Sequence, residues 1–207
     1  MNSEDLPSES DSFLTLSKSS SGLYKDRNSK FYFHAFPVRD EDEVKEKLIE
    51  LKKEFYDAGH HCYAFMLGKD QELFRANDDG EPHNSAGIPI LGQIKSANLT
   101  NVLIVVVRYF GGTKLGVSGL IQAYKTSAQM AIEANEIVEE FLMGSVTLQF
   151  PYPAMNEIMK LVKSLDLEIT NQEMHLNCRM TIEMKASLEK EVLERLNLIR
   201  EVEIIKS

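Results

Sequence analysis

The chain has 207 residues and a net charge of −9, with 43% hydrophobic and 27% charged residues, a composition that suits one large or two small globular domains. The acidic balance argues against broad adhesion to nucleic acid or anionic membrane. No apolar run approaches the roughly 20 residues that span a bilayer. The opening MNSEDLPSES lacks the basic start and apolar core of a secretion signal, and Cys62 and Cys178 are too few and isolated for a disulfide framework, so a reduced, cytoplasmic setting is expected.

In chain order, residues 1–28 are rich in serine and acids and read as a flexible tail. Lys30 to Val38 reads as a strand. Asp40 to Ala58 reads as a helix with Val44, Leu48, Leu51 and Phe55 on one face and acids at its start. His61–Leu67 and Gln71–Ala76 read as strands joined by a turn at Leu67 to Asp70. Asn77 to Pro82, NDDGEP, is a polar loop, and Asn84 and Ser85 are placed to cap a short helix over Ile88 to Ala97. Val102–Val107 are six successive apolar residues, a strand buried on both faces. A turn with Gly111, Gly112, Gly116 and Gly119 leads into a helix over Val117 to Asn135.

After a connection at Ile137 to Gly144 the pattern restarts. Val146–Tyr152, Leu167–His175, Asn177–Lys185 and Glu201–Lys206 read as strands. Ala154–Leu165 and Ser187–Leu198 read as helices. The order βαββαβ is that of a ferredoxin-like sandwich. The fold class is α+β, with domains over 29–141 and 145–207.

Charge is unevenly distributed. No acid lies between Glu81 and Glu133, whereas Lys95, Arg108, Lys114 and Lys125 do. Two readings stand: a core that excludes charge, or a local positive field aimed at phosphate. The glycine turn also has two readings. It could be a tight turn with close helix–strand packing. Alternatively, Gly111, Gly112 and the N–H groups near Gly119 hold a phosphate, helped by Arg108, Thr113 and Lys114. Neither the P-loop order nor the dinucleotide fingerprint is present. Asp78, Asp79 and Glu81 could hold Mg²⁺ or do acid–base work, or could bond backbone N–H groups in a structured loop. His60, His61 and Cys62 alternate across a strand and cannot share one metal without distortion, although one histidine could bond the acidic loop. Ser118 lacks a nucleophile elbow. Tyr109, Phe110 and Tyr124 are core or base-stacking residues. No catalytic group, metal or cofactor is assigned.

The segments HHCYAFMLG, NDDGEPHNSAGIPIL and VVVRYFGGTKLGVSGLIQAY resemble the YigZ/Impact family, from about Ser29 to the end. The resemblance implies a β-α-β N-terminal domain related to a ribosomal small-subunit protein and to domain IV of the translocation elongation factor. It also implies a C-terminal domain similar to that factor's domain V. Eukaryotic relatives regulate translation by competing for an activator of a stress kinase, and bacterial members are suspected of binding RNA or the ribosome.

The expectation is therefore a non-catalytic, translation-associated protein. It would bind RNA, the ribosome or a translation-related protein, and no membrane. Its contacts would be Arg108, Tyr109, Gly111, Gly112, Thr113, Lys114, Gly116 and Gly119, with Asp78, Asp79, Glu81 and His61 beside them. The rivals are a phosphate-handling enzyme using the acidic loop with Mg²⁺, and a pure protein-interaction module.

Overall fold

A computed structural model describes residues 11–206 and divides the chain into two compact units, one spanning Phe13–Glu140 and one that joins the described residues up to Ser12 with those from Phe141 onward. The first unit contains β1 (Ser12–Leu16), β2 (Ser20–Asp26), β3 (Ser29–Pro37), α1 (Glu41–Glu54), β4 (His60–Leu67), β5 (Leu73–Asn77), α2 (Gly87–Ser96), β6 (Val102–Tyr109), α3 (Gly116–Glu133) and β7 (Ile137–Phe141). Five strands form an antiparallel sheet in the order β2-β3-β6-β4-β5, and β1 pairs with β7 separately.

Sheet position explains the sequence pattern. β6 is central, and Val102 to Val107 are fully buried. On one face Phe31, Phe33, Cys62, Ile104 and Val106 pack under α2 and α3, with Ile90, Ile94, Leu120 and Tyr124. On the other, Phe65, Leu103, Val105 and Val107 pack under α1, with Val44 and Leu51. β3 and β4 run parallel to each other on either side of β6, joined through α1, which is the expected β-α-β unit with a strand inserted.

The expected tail is corrected in part. Residues 1–10 lie outside the described residues, but β1 and β2 are strands. Leu16 is buried, and Leu14 and Tyr24 pack on the core. Among the described residues, Ser12 lies in β1, Ser20 and Ser21 lie in the edge strand β2, and Ser17 lies in the bend between these strands. Ser20 Oγ, for example, donates to the carbonyl of Ala131 on α3.

The second unit contains β8 (Met143–Pro151), α4 (Met155–Ser164), β9 (Glu168–Glu173), β10 (Asn177–Lys185), α5 (Glu189–Leu196) and β11 (Glu203–Lys206). Its sheet order β11-β8-β10-β9 is that of the ferredoxin-like sandwich expected from βαββαβ. Val146, Leu148 and Phe150 of β8 and Cys178, Met180, Ile182 and Met184 of β10 alternate inward against Ile158, Val162, Val192 and Leu196 of the two helices.

Candidate functional site

The antiparallel register brings the chemistry to one end of the five-stranded sheet. Lys30 lies opposite Tyr109, and His60 opposite Arg108. The β5 terminus at Asn77 and the starts of α2 and α3 belong to the same end.

The acidic loop is a structural clamp. Asp78 Oδ1 accepts from the N–H groups of Ala86 and Gly87 at 3.0 and 2.8 Å, and its Oδ2 accepts from Asn84 N–H at 2.8 Å. Asp78 therefore supplies the cap of α2 that the sequence assigned to Asn84 and Ser85. Ser85 Oγ instead donates to the carbonyl of Pro82. Asp79 Oδ2 accepts from the backbone N–H of His61 at 2.6 Å, and Asp79 sits at φ 41° behind an Asn77 side-chain bond. Glu81 turns inward. The three carboxylates thus point to three separate jobs, and among the described residues no three His, Cys, Asp or Glu groups are placed to share a metal ion.

Glu81 and Arg108 form a buried ion pair, Nη1 to Oε1 at 2.6 Å, with side chains only 4% and 7% exposed. Tyr124 O–H donates to the same Oε1 at 2.8 Å, and the Cys62 thiol donates to Tyr124 Oη at 3.3 Å. The Arg108 guanidinium lies 5.5 Å from the Phe31 ring centroid and 5.7 Å from that of Phe110. Arg108 is thus not the free surface cation expected at the turn, because its charge is balanced inside the fold. Its Nε has no hydrogen-bond partner among the described residues. Burial pushes the Tyr124 hydroxyl and the Cys62 thiol far above their ordinary pKa values, so both stay protonated and inert.

Of the two histidines, either of which could bond the acidic loop by its place in the sequence, His60 does so through its ring, whereas His61, expected beside the loop, does so through its backbone N–H. His60 faces the loop: its Nδ1 lies 2.8 Å from the Asp79 carbonyl and its Nε2 3.9 Å from Glu81 Oε1. The His61 ring is buried on the opposite face, and desolvation lowers its pKa despite nearby Asp79. Tyr109 is half-buried and donates to Asp57 Oδ1 at 2.6 Å, a bond that pushes its pKa up to about 12.

The glycines also divide by role. A Cβ at Gly111 would collide with the backbone of Asn28 and Ser29, and Gly111 N–H donates to Ser29 Oγ. Gly111 is therefore a packing residue that locks the turn to the β2–β3 hairpin, rather than a phosphate ligand. Gly112 and Gly116 have φ of 86° and 73° with open space around them. Gly119 lies within α3, against Leu115. Thr113 and Lys114 are exposed, as are Gly116, Val117 and Ser118 at the start of α3. The N-cap Leu115 offers no side-chain hydrogen bond to the first turn of α3, and no other side chain among the described residues is bonded to its first N–H groups. Its open N-terminus borders a cavity of about 380 Å³ lined by Glu81, Arg108, Phe110, Lys114, Val117 and Leu120, among others. The site residues that the sequence reading left out are Lys30 and Asn28. Only the sheet register reveals them.

Residues 27–132 match the Impact N-terminal domain. The chain is 38% identical over 130 residues to the IMPACT family member YvyE of Bacillus subtilis (strain 168), covering 63% of this chain and 60% of that one. It is 34% identical over 142 residues to an IMPACT family member of Thermus thermophilus, covering 69% and 76%. A crystal structure of a hypothetical protein superposes with a TM-score of 0.70 at 25% identity, over 94% of this chain and 96% of that one. No helix among the described residues is long and apolar enough to cross a membrane. With the domain match spanning more than half its length, this chain belongs to the Impact family.

Proposed function

We propose that this protein is a non-catalytic, translation-associated regulator that holds RNA, free or ribosomal, by a backbone phosphate at the N-terminus of α3. The observation that carries the reading is the open first turn of this 18-residue helix beside exposed Lys114 and a 380 Å³ cavity. The unpaired N–H groups and the positive end of the helix dipole favour an anion there. The contrast with α2 supports it, since that helix's equivalent N–H groups are already taken by Asp78. Glu81 does not repel the anion, because Arg108 neutralises it. Family membership, and what the family resemblance implies, support the link to translation.

The second unit suits a protein contact better than RNA. Its open sheet face carries Glu168, Glu173, Glu183 and Glu203 against Arg179 and Lys185, and the acidic excess disfavours phosphate. Sedimentation with ribosomes and with free RNA across a salt series tests the proposal. Co-sedimentation that weakens with salt, and that Lys114→Glu abolishes at the highest salt where wild type still binds, is expected. Absence of binding at low salt, or indifference to Lys114→Glu, would refute it.

A further inference from the structure

We infer that a second cavity at the same end of the sheet, on the α1 side, seats one unstacked nucleobase, so that the RNA held is single-stranded. This rests on the phosphate reading above and adds what lies next to the phosphate. The cavity measures about 300 Å³ and is lined by Asn28, Lys30, Tyr32, Phe55, Tyr109 and Phe110. That volume is at the lower end of the roughly 300–1,000 Å³ typical of small-ligand sites.

Four of its six lining residues are aromatic, and three of them form a fixed wall. Tyr32 packs 5.4 Å from Phe55 and edge-on to Tyr109 at 5.9 Å, and Tyr109 is tied to Asp57. Phe110 is 58% exposed and follows the last residue of β6. It borders both this cavity and the one at the start of α3. A base stacked on one side of Phe110 therefore leaves its own backbone at the α3 end.

The charge around the cavity favours the same ligand. Lys25 lies directly opposite Lys30 on β2, a like-charge cross-strand pair that costs stability unless something anionic lies over it. Arg27 stands at the hairpin tip between them, at φ 44°, followed by Asn28 at φ 65°. None of these three cations has an ion-pair partner among the described residues. The nearby acids are Asp57, bonded to Tyr109, the half-buried Asp26, and Glu54, which precedes Phe55 and lies close enough to act on His34. Aromatic walls, an exposed amide and cations without an ion pair among the described residues are what a base and its phosphates require, and a base paired in a duplex cannot enter.

The test compares three probes by fluorescence anisotropy and competition: a labelled single-stranded oligonucleotide, the same sequence as a duplex, and inorganic polyphosphate. Wild type is expected to prefer the single strand. Phe110→Ala is expected to weaken single-strand binding by about 5- to 150-fold, the range for loss of one stacked base, and polyphosphate binding by much less, since Phe110 only borders the phosphate cavity. Phe110→Tyr is expected to retain single-strand binding. If Phe110→Ala leaves single-strand affinity intact, or lowers polyphosphate binding equally, the base site is wrong and the phosphate site stands. If neither RNA nor polyphosphate binds wild type, the phosphate reading falls and the base site with it.

Discussion

Arg108 and Glu81 show how a residue's meaning depends on its partner. The sequence offers one arginine in an acid-free stretch, and that reads as a ligand for phosphate. In the fold the guanidinium is buried against Glu81, 27 positions earlier, and the pair contributes structure. Glu81→Ala is expected to lower unfolding free energy by about 3–5 kcal/mol, because it leaves a buried cation unpaired. Tyr124→Phe removes one donor to the same oxygen and is expected to cost about 1–2 kcal/mol. Urea denaturation distinguishes the two, and equal small losses would contradict the network. Gly111→Ala is expected to be strongly destabilising. Gly112→Ala meets open space and bears only the left-handed backbone cost of about 1 kcal/mol.

His34 and His61 both have pKa values lowered from 6.5, mainly by desolvation. Each binds fewer protons folded than unfolded just below that pH. Their stability contribution is therefore complete above pH 6.5 and is lost as pH falls toward the lowered values. The urea midpoint is expected to drop between pH 7.5 and pH 5.5. A midpoint unchanged over that interval would contradict the burial of these rings.

At the scale of elements, most of the molecule is written in local patterns. The six apolar residues of β6, the Val44–Phe55 stripe of α1 and the alternation in β8 and β10 each announce their element, because each buries its faces in a simple period. The cap of α2 was not legible. Asp78 reaches it from eight and nine positions away, while the adjacent Asn84 and Ser85 resemble an ordinary cap. Sequence rules see neighbours, and this bond depends on the β5 terminus meeting the start of α2. Asp78→Ala is expected to destabilise by about 1–2 kcal/mol, the effect of losing a helix cap, whereas Asn84→Gly, which suits the φ of 61° at that position, leaves its backbone bond in place. Thermal melts of the two variants should separate them.

The β1 and β2 strands were hidden for a related reason. Their serines lower local hydrophobicity, and their pairing is either with the distant β7 or across a hairpin whose tip carries Arg27 and Asn28 at positive φ.

At the scale of the whole molecule, two α/β units were visible in the sequence because the strand–helix pattern restarts after α3. The site was only half visible. The glycine turn, Lys114 and the helix start stand together in sequence. Lys30, Asn28 and His60 join them only through the register of β3 and β4 against β6. The net charge of −9 makes the local character of the cationic rim essential, since the molecule as a whole repels nucleic acid. Binding should therefore be weak at high salt and should depend on few phosphates.

The most direct measurement is the salt dependence of single-stranded RNA affinity for wild type and for Lys114→Ala. The account predicts a linear fall of log affinity with log salt in wild type, with a slope shallower by about 1 in Lys114→Ala and an unchanged fold by circular dichroism. Identical slopes in the two proteins, or an affinity independent of salt, would contradict phosphate recognition at the start of α3.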